Sequence, residues 1–86
     1  MEFNTIMVVL LEKRTDIATE VQNVLTNYGC IITVRMGLHE TQDDCEKEGL
    51  ITLFLNGAEK EIKALENELL EIEGVKLKQM NLNFNH

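Results

Sequence analysis

The order of apolar runs in this 86-residue chain predicts an α+β fold of pattern βαββαβ, a four-stranded antiparallel sheet with two helices on one face. Three observations carry that expectation. The runs Phe3 to Leu11 and Leu50 to Leu55 are apolar at both parities, the signature of central strands covered on both faces. Each is followed by apolar residues at helical spacing. Each helix signal then gives way to a further strand signal, so that residues 3–37 and 50–84 repeat one plan.

The first strand, FNTIMVVLL, stops at the charged cluster Glu12-Lys13-Arg14. Ile17, Val21, Val24, Leu25 and Tyr28 then line one side of a helix, with Thr15 or Asp16 as N-cap and Gly29 as its stop. A β-branched second strand runs from Cys30 to Met36 and ends at Gly37. Residues 39–49 form an acidic connection, read as a long hairpin or flap, before the third strand at Leu50 to Leu55. Asn56-Gly57-Ala58-Glu59 caps the second helix in the manner of a capping box, Ile62, Leu65, Leu69 and Ile72 mark its apolar side, and Gly74 ends it. In the last strand Val75 and Leu77 fall on one parity but Met80, Leu82 and Phe84 on the other, which predicts a bulge near Lys78-Gln79 or the strand's end there. These elements make one domain over 1–86, a ferredoxin-like split βαβ sandwich whose first and third strands are expected to be central and to run parallel. The helices cover one face of the sheet. Apolar residues of both parities on the central strands imply that a partner covers the other.

A domain this small buries a modest core, and association with further copies is a common remedy. Eight Lys and Arg against fifteen Asp and Glu give a net charge of −7, which repels phosphate backbones and excludes direct electrostatic binding of nucleic acid. The charge is localised. Residues 39–49 carry five acids against Lys47 and residues 58–73 carry six Glu against two Lys, each segment netting −4, so the remainder is close to neutral. The longest apolar run, Ile6 to Leu11, is far short of the roughly 20 residues that span a bilayer, and no charged-then-apolar leader is seen. Two cysteines, Cys30 and Cys45, lack the spacing of a zinc site or redox pair, and a reducing cytoplasm is the expected location.

There is no serine and no motif of a catalytic mechanism, so an enzyme is not expected and no cofactor is implied. His39 and Cys45, with Asp43, Asp44 and Glu46 between and beside them, are the one set with metal-ligand chemistry and give the alternative of a transition-metal sensor or carrier. Cys30, at a strand start, reads as core packing. Gly37 permits either a turn at positive φ or the close approach of a ligand or another backbone. Arg35 is the only cation between Arg14 and Lys47. It either forks onto a carboxylate or blunts an edge strand.

The βαββαβ order, the helix closing on Tyr28-Gly29, the stretch Arg35-Met36-Gly37-Leu38 and the closing Glu73-Gly74-Val75 together resemble the ACT-like proteins known as iron-only hydrogenase system regulators, from Thr5 to about Met80. The resemblance implies a stand-alone regulatory domain responsive to a small molecule or a metal. It also implies a homodimer or higher oligomer, often paired side by side through the second strands into eight strands. In ACT domains effectors lie at the dimer interface near the first strand-to-helix connection. By position this corresponds to Glu12, Lys13, Arg14, Thr15 and Asp16 of one subunit and Arg35, Met36, Gly37 and Leu38 of the other. Amino-acid-binding members carry a glycine in that connection, and Glu12 to Asp16 contains none.

Overall fold

The computed structural model describes residues 3–12, 15–38 and 48–82. Strand β1 (Thr5–Glu12) leads to helix α1 (Thr15–Asn27), then β2 (Ile32–Leu38), β3 (Glu48–Leu55), helix α2 (Glu59–Leu70) and β4 (Val75–Asn81). The sheet order is β2-β3-β1-β4, and the two most apolar runs are indeed central. They are not parallel. Every adjoining pair is antiparallel, because the helical crossover returns β2 along the direction of β1 and the following connection reverses β3.

Alternation along the strands divides the sheet cleanly. Toward the helices point Met7 and Val9 of β1 and Leu53 and Leu55 of β3, all fully buried. They meet Ile17, Val21 and Leu25 of α1 and Ile62, Leu65 and Leu69 of α2 in one core. On the opposite face the register aligns residues in rows. One row reads Val34, Phe54, Ile6, Met80 across β2, β3, β1 and β4, the next reads Met36, Thr52, Val8, Lys78, and a third places Leu50 and Leu10 beside Lys76. Among the described residues Phe3 reaches over this face, its ring edge-on to that of Phe54 at 5.0 Å.

Local details correct several expectations. Helix α1 ends at Asn27, and Gly29 opens a 3-10 turn, Gly29–Ile31, before β2 begins. Within that turn Ile31 takes the buried place and Cys30 is exposed, so Cys30 is not core packing. The turn inserts a step that apolar patterning alone does not reveal. Strand β4 pairs with β1 in unbroken register from Val75 to Asn81, without the expected bulge. Its parity change marks a change of neighbour. Val75 and Leu77 pack on the helix side, where Gln79 follows and donates from Nε2 to Glu66 Oε1 at 3.0 Å, whereas Met80 belongs to the open face. The irregularity lies in β2 instead, between Ile32 and Val34.

At the start of α2 the Ala58 amide donates to Glu61 Oε1 at 2.8 Å, the half of a capping box that needs no N-cap side chain. Gly74 follows α2 with φ of +94°. A side chain there would also collide with Ile17, since a Cβ would lie 2.6 Å from its Cδ1. Both backbone conformation and space therefore call for glycine. No helix among the described residues is long and apolar enough to cross a membrane.

Candidate functional site

The C-terminal end of β1, the N-terminus of α1 and the end of β2 lie at one end of the sheet. Register shows why. Leu38 pairs with Leu50, which pairs with Leu10, and Glu12 pairs with Glu48 at the last rung. The two stretches expected to hold an effector thus share an end of the molecule, but β3 separates them by two strand spacings, about 10 Å.

On the first side, Glu12 is exposed and its amide donates to the Gly74 carbonyl at 3.0 Å, which ties β1 to the turn before β4. Thr15 opens α1, and Asp16 lies exposed in its first turn, where a carboxylate suits the helix dipole. Lys13 and Arg14 lie outside the described residues. A depression of about 300 Å³ opens beside this tie, lined by Leu10, Leu11, Glu12, Gly74, Val75 and Lys76. Gly74, Val75 and Lys76 were not anticipated as site residues. The Glu73-Gly74-Val75 sequence carries a helix stop, and its approach to Glu12 depends on β1 pairing with β4, which local pattern does not specify.

On the second side, Arg35, Met36 and Gly37 are exposed on the β2 edge, and Leu38 is its last residue. Gly37 is not a turn residue. It pairs with Ile51 inside the strand, and among the described glycines only Gly74 has positive φ. A Cβ at Gly37 would meet nothing nearer than the Leu50 carbonyl, 4.0 Å away. The glycine therefore leaves open backbone on the side of the sheet where Arg35 also stands, two residues earlier. An anionic group could lie along that edge within reach of a guanidinium.

A second hollow, about 340 Å³, lies between the helices and is lined by Glu20, Asn23, Val24, Glu68, Glu71 and Ile72. The Tyr28 hydroxyl donates to the Glu68 carboxylate, bridging the end of α1 to α2. That hydrogen bond holds the Tyr28 phenol above its ordinary pKa, with partial desolvation and the charge of Glu68 acting in the same direction. Among the described residues no group of three or more His, Cys, Asp or Glu side chains could hold a metal. The proposed ligands His39 and Cys45 lie outside the described residues.

A βαββαβ sheet with antiparallel order β2-β3-β1-β4 and both helices on one face is a ferredoxin-like domain of the ACT type. Solved structures agree. The ACT domain from GTP pyrophosphokinase of Chlorobium tepidum superposes with TM-score 0.71 at 11% identity, covering 93% of this chain and 100% of that one. The C-terminal domain of the MgtC protein from Mycobacterium tuberculosis gives 0.66 at 12% identity, covering 98% and 93%. The chain belongs to the family described as "TM1266-like: Iron-only hydrogenase system regulator, putative", whose model matches residues 4–79. In accord with this, the uncharacterized protein TM1266 from Thermotoga maritima superposes with TM-score 0.82 at 26% identity, covering 92% of this chain and 95% of that one. No curated protein matches.

Proposed function

We propose that this protein is an ACT-like regulatory domain that senses a small anionic ligand as an oligomer and carries out no catalysis. The observation that carries this reading is the division of the candidate site. Glu12 to Asp16 and Arg35 to Leu38 share one end of the sheet, yet β3 keeps them apart in a single copy. A second copy docked at the β2 edge would close over the Arg35 to Leu38 half, and an edge strand offers its outward amides and carbonyls to a strand partner. Charge supports an anion. Lys13, Arg14 and Arg35 outnumber Glu12 and Asp16 in these stretches, while the acidic excess lies in residues 39–49 and 58–73. Ligand binding would act by favouring one arrangement of the copies over another, which requires contacts that differ between the two.

Native mass spectrometry of the purified protein tests both parts together. The expected result is an oligomer, with either a bound small molecule or a mass shift on adding a panel of small carboxylates, lost in Arg35→Ala. A protein that is strictly monomeric at micromolar concentration, with no mass shift, overturns the reading.

A further inference from the structure

We infer that the open face of the sheet is a second self-association surface, on which another copy of this chain stacks sheet against sheet with the two-fold axis parallel to the strands. The surface is separate from the β2 edge and the inference does not rest on the reading above.

The face is apolar across its full width. The row Val34, Phe54, Ile6, Met80 crosses all four strands without a polar residue, and its margins hold large apolar side chains in water, Met36 at 54% and Met80 at 63% exposure. Large apolar groups spread continuously over a sheet face mark a contact surface rather than scattered exposure. The outer sides of the helices cannot cover it, because a layer rich in Glu would bury carboxylates against hydrocarbon. A second sheet face can.

Charge then selects the orientation. The only cations among the described residues of this face are Lys76 and Lys78, both on β4. A two-fold axis across the strands would stack β4 on β4 and set these lysines over their own copies. An axis along the strands reverses the lateral order, so that β4 lies over the partner's β2 and β1 over the partner's β3. Lys78 then faces the apolar β2 margin at the level of Met36, over which its methylene stem can lie while the ammonium reaches solvent. The same operation superposes Met80 on Val34, apolar on apolar.

Size is sufficient for a reversible dimer. Four strands about 4.8 Å apart and about seven residues long offer a flat footprint of roughly 440 Å² per copy. Side-chain relief raises the accessible area above that footprint, so the pair falls near the roughly 1,000 Å² at which specific interfaces begin. Facing sheets pack about 10 Å apart with strands rotated by about 30°.

Site-directed cross-linking distinguishes this arrangement from β2-edge pairing. In a background with Cys30→Ser and Cys45→Ser, the single variants Met36→Cys and Lys78→Cys are mixed and treated with a short bis-maleimide. Face stacking about the strand axis predicts a Met36–Lys78 product between copies that grows with concentration. In the same background Met80→Glu, a change at a solvent-exposed position, is expected to lower the yield of the mixed Met36–Lys78 product at least tenfold with an unchanged circular dichroism spectrum, because it would bury an unpaired carboxylate. A Met36–Met36 product reports the β2-edge pairing and so tests the earlier reading on its own. Self-coupling of Lys78→Cys, absence of the mixed product up to millimolar protein, or a Met80→Glu protein that gives the mixed product as readily as its parent each overturns the inference.

Discussion

Replacing Gly74 by alanine is expected to remove a large part of the stability of this domain, through two separable effects. The first is backbone conformation. At φ of +94° an L-residue is strained, at a cost of about 1–2 kcal/mol or more. The second is collision. The new Cβ would stand 2.6 Å from Cδ1 of the buried Ile17, and overpacking of this kind costs about 1–3 kcal/mol. The sum, about 2–5 kcal/mol, is to be set against a total of about 4–13 kcal/mol for a chain of this length. Urea unfolding followed by circular dichroism reads the difference as a shift in midpoint at constant slope. A double-mutant cycle divides it. Ile17→Val deletes the colliding methyl and by itself costs about 0.5–1.5 kcal/mol. In the Ile17→Val background Gly74→Ala should lose only the conformational part, giving a favourable coupling of about 1–3 kcal/mol. A Gly74→Ala protein within 0.5 kcal/mol of its parent, or a cycle with no coupling, would refute the geometry of the turn that ties β4 to β1.

Three further outcomes can be checked directly. The chain has a single tyrosine, so tyrosinate absorbance reports Tyr28 alone: its midpoint should lie above 10.0 and move back toward that value in Glu68→Gln. Because the folded-state value is raised, the contribution of this group is present in full below pH 10 and declines as pH rises from there through the folded-state midpoint, so the parent should lose more stability than Tyr28→Phe over that range. Gly37→Ala should leave the urea midpoint unchanged or slightly raised, since the Cβ has room and the strand gains a better residue, and should diminish any ligand-induced shift; a loss of more than about 1 kcal/mol contradicts the extended backbone described here. Cys30 should react with a thiol reagent in the native protein at nearly the rate of a free thiol, whereas protection until unfolding would return it to the core.

Periodicity was enough to recover the architecture, because each buried face imposes its own repeat: Ile62, Leu65 and Leu69 can share a core only on a helix, and Leu50 to Leu55 can be apolar throughout only in the centre of a sheet. Features that depend on neighbours remote in sequence were read less well. Met80 is on the other parity from Val75 because the helix layer gives way to Glu66 and Gln79 at that point, and no local pattern distinguishes that from a bulge. Cys30 and Ile31 exchange roles through one 3-10 turn. The candidate site was half visible. The end of β2 and the first connection were named from the resemblance, whereas Gly74 and Lys76 enter only through the pairing of β1 with β4.

The position of β1 also has a kinetic meaning. This strand is the axle of the sheet, yet both strands beside it come from later in the chain: Thr5 pairs with Leu55 on one side and with Asn81 on the other, and Asn4 accepts a hydrogen bond from the Leu82 amide at 2.8 Å. No nascent hairpin can contain it. Until β3 and then β4 arrive, this strand can pack only against α1 and has two bare edges, so the chain must close nearly its full length before the sheet is complete. Topology of this kind slows folding relative to a helical bundle of equal size, because long loops must close before their contacts form.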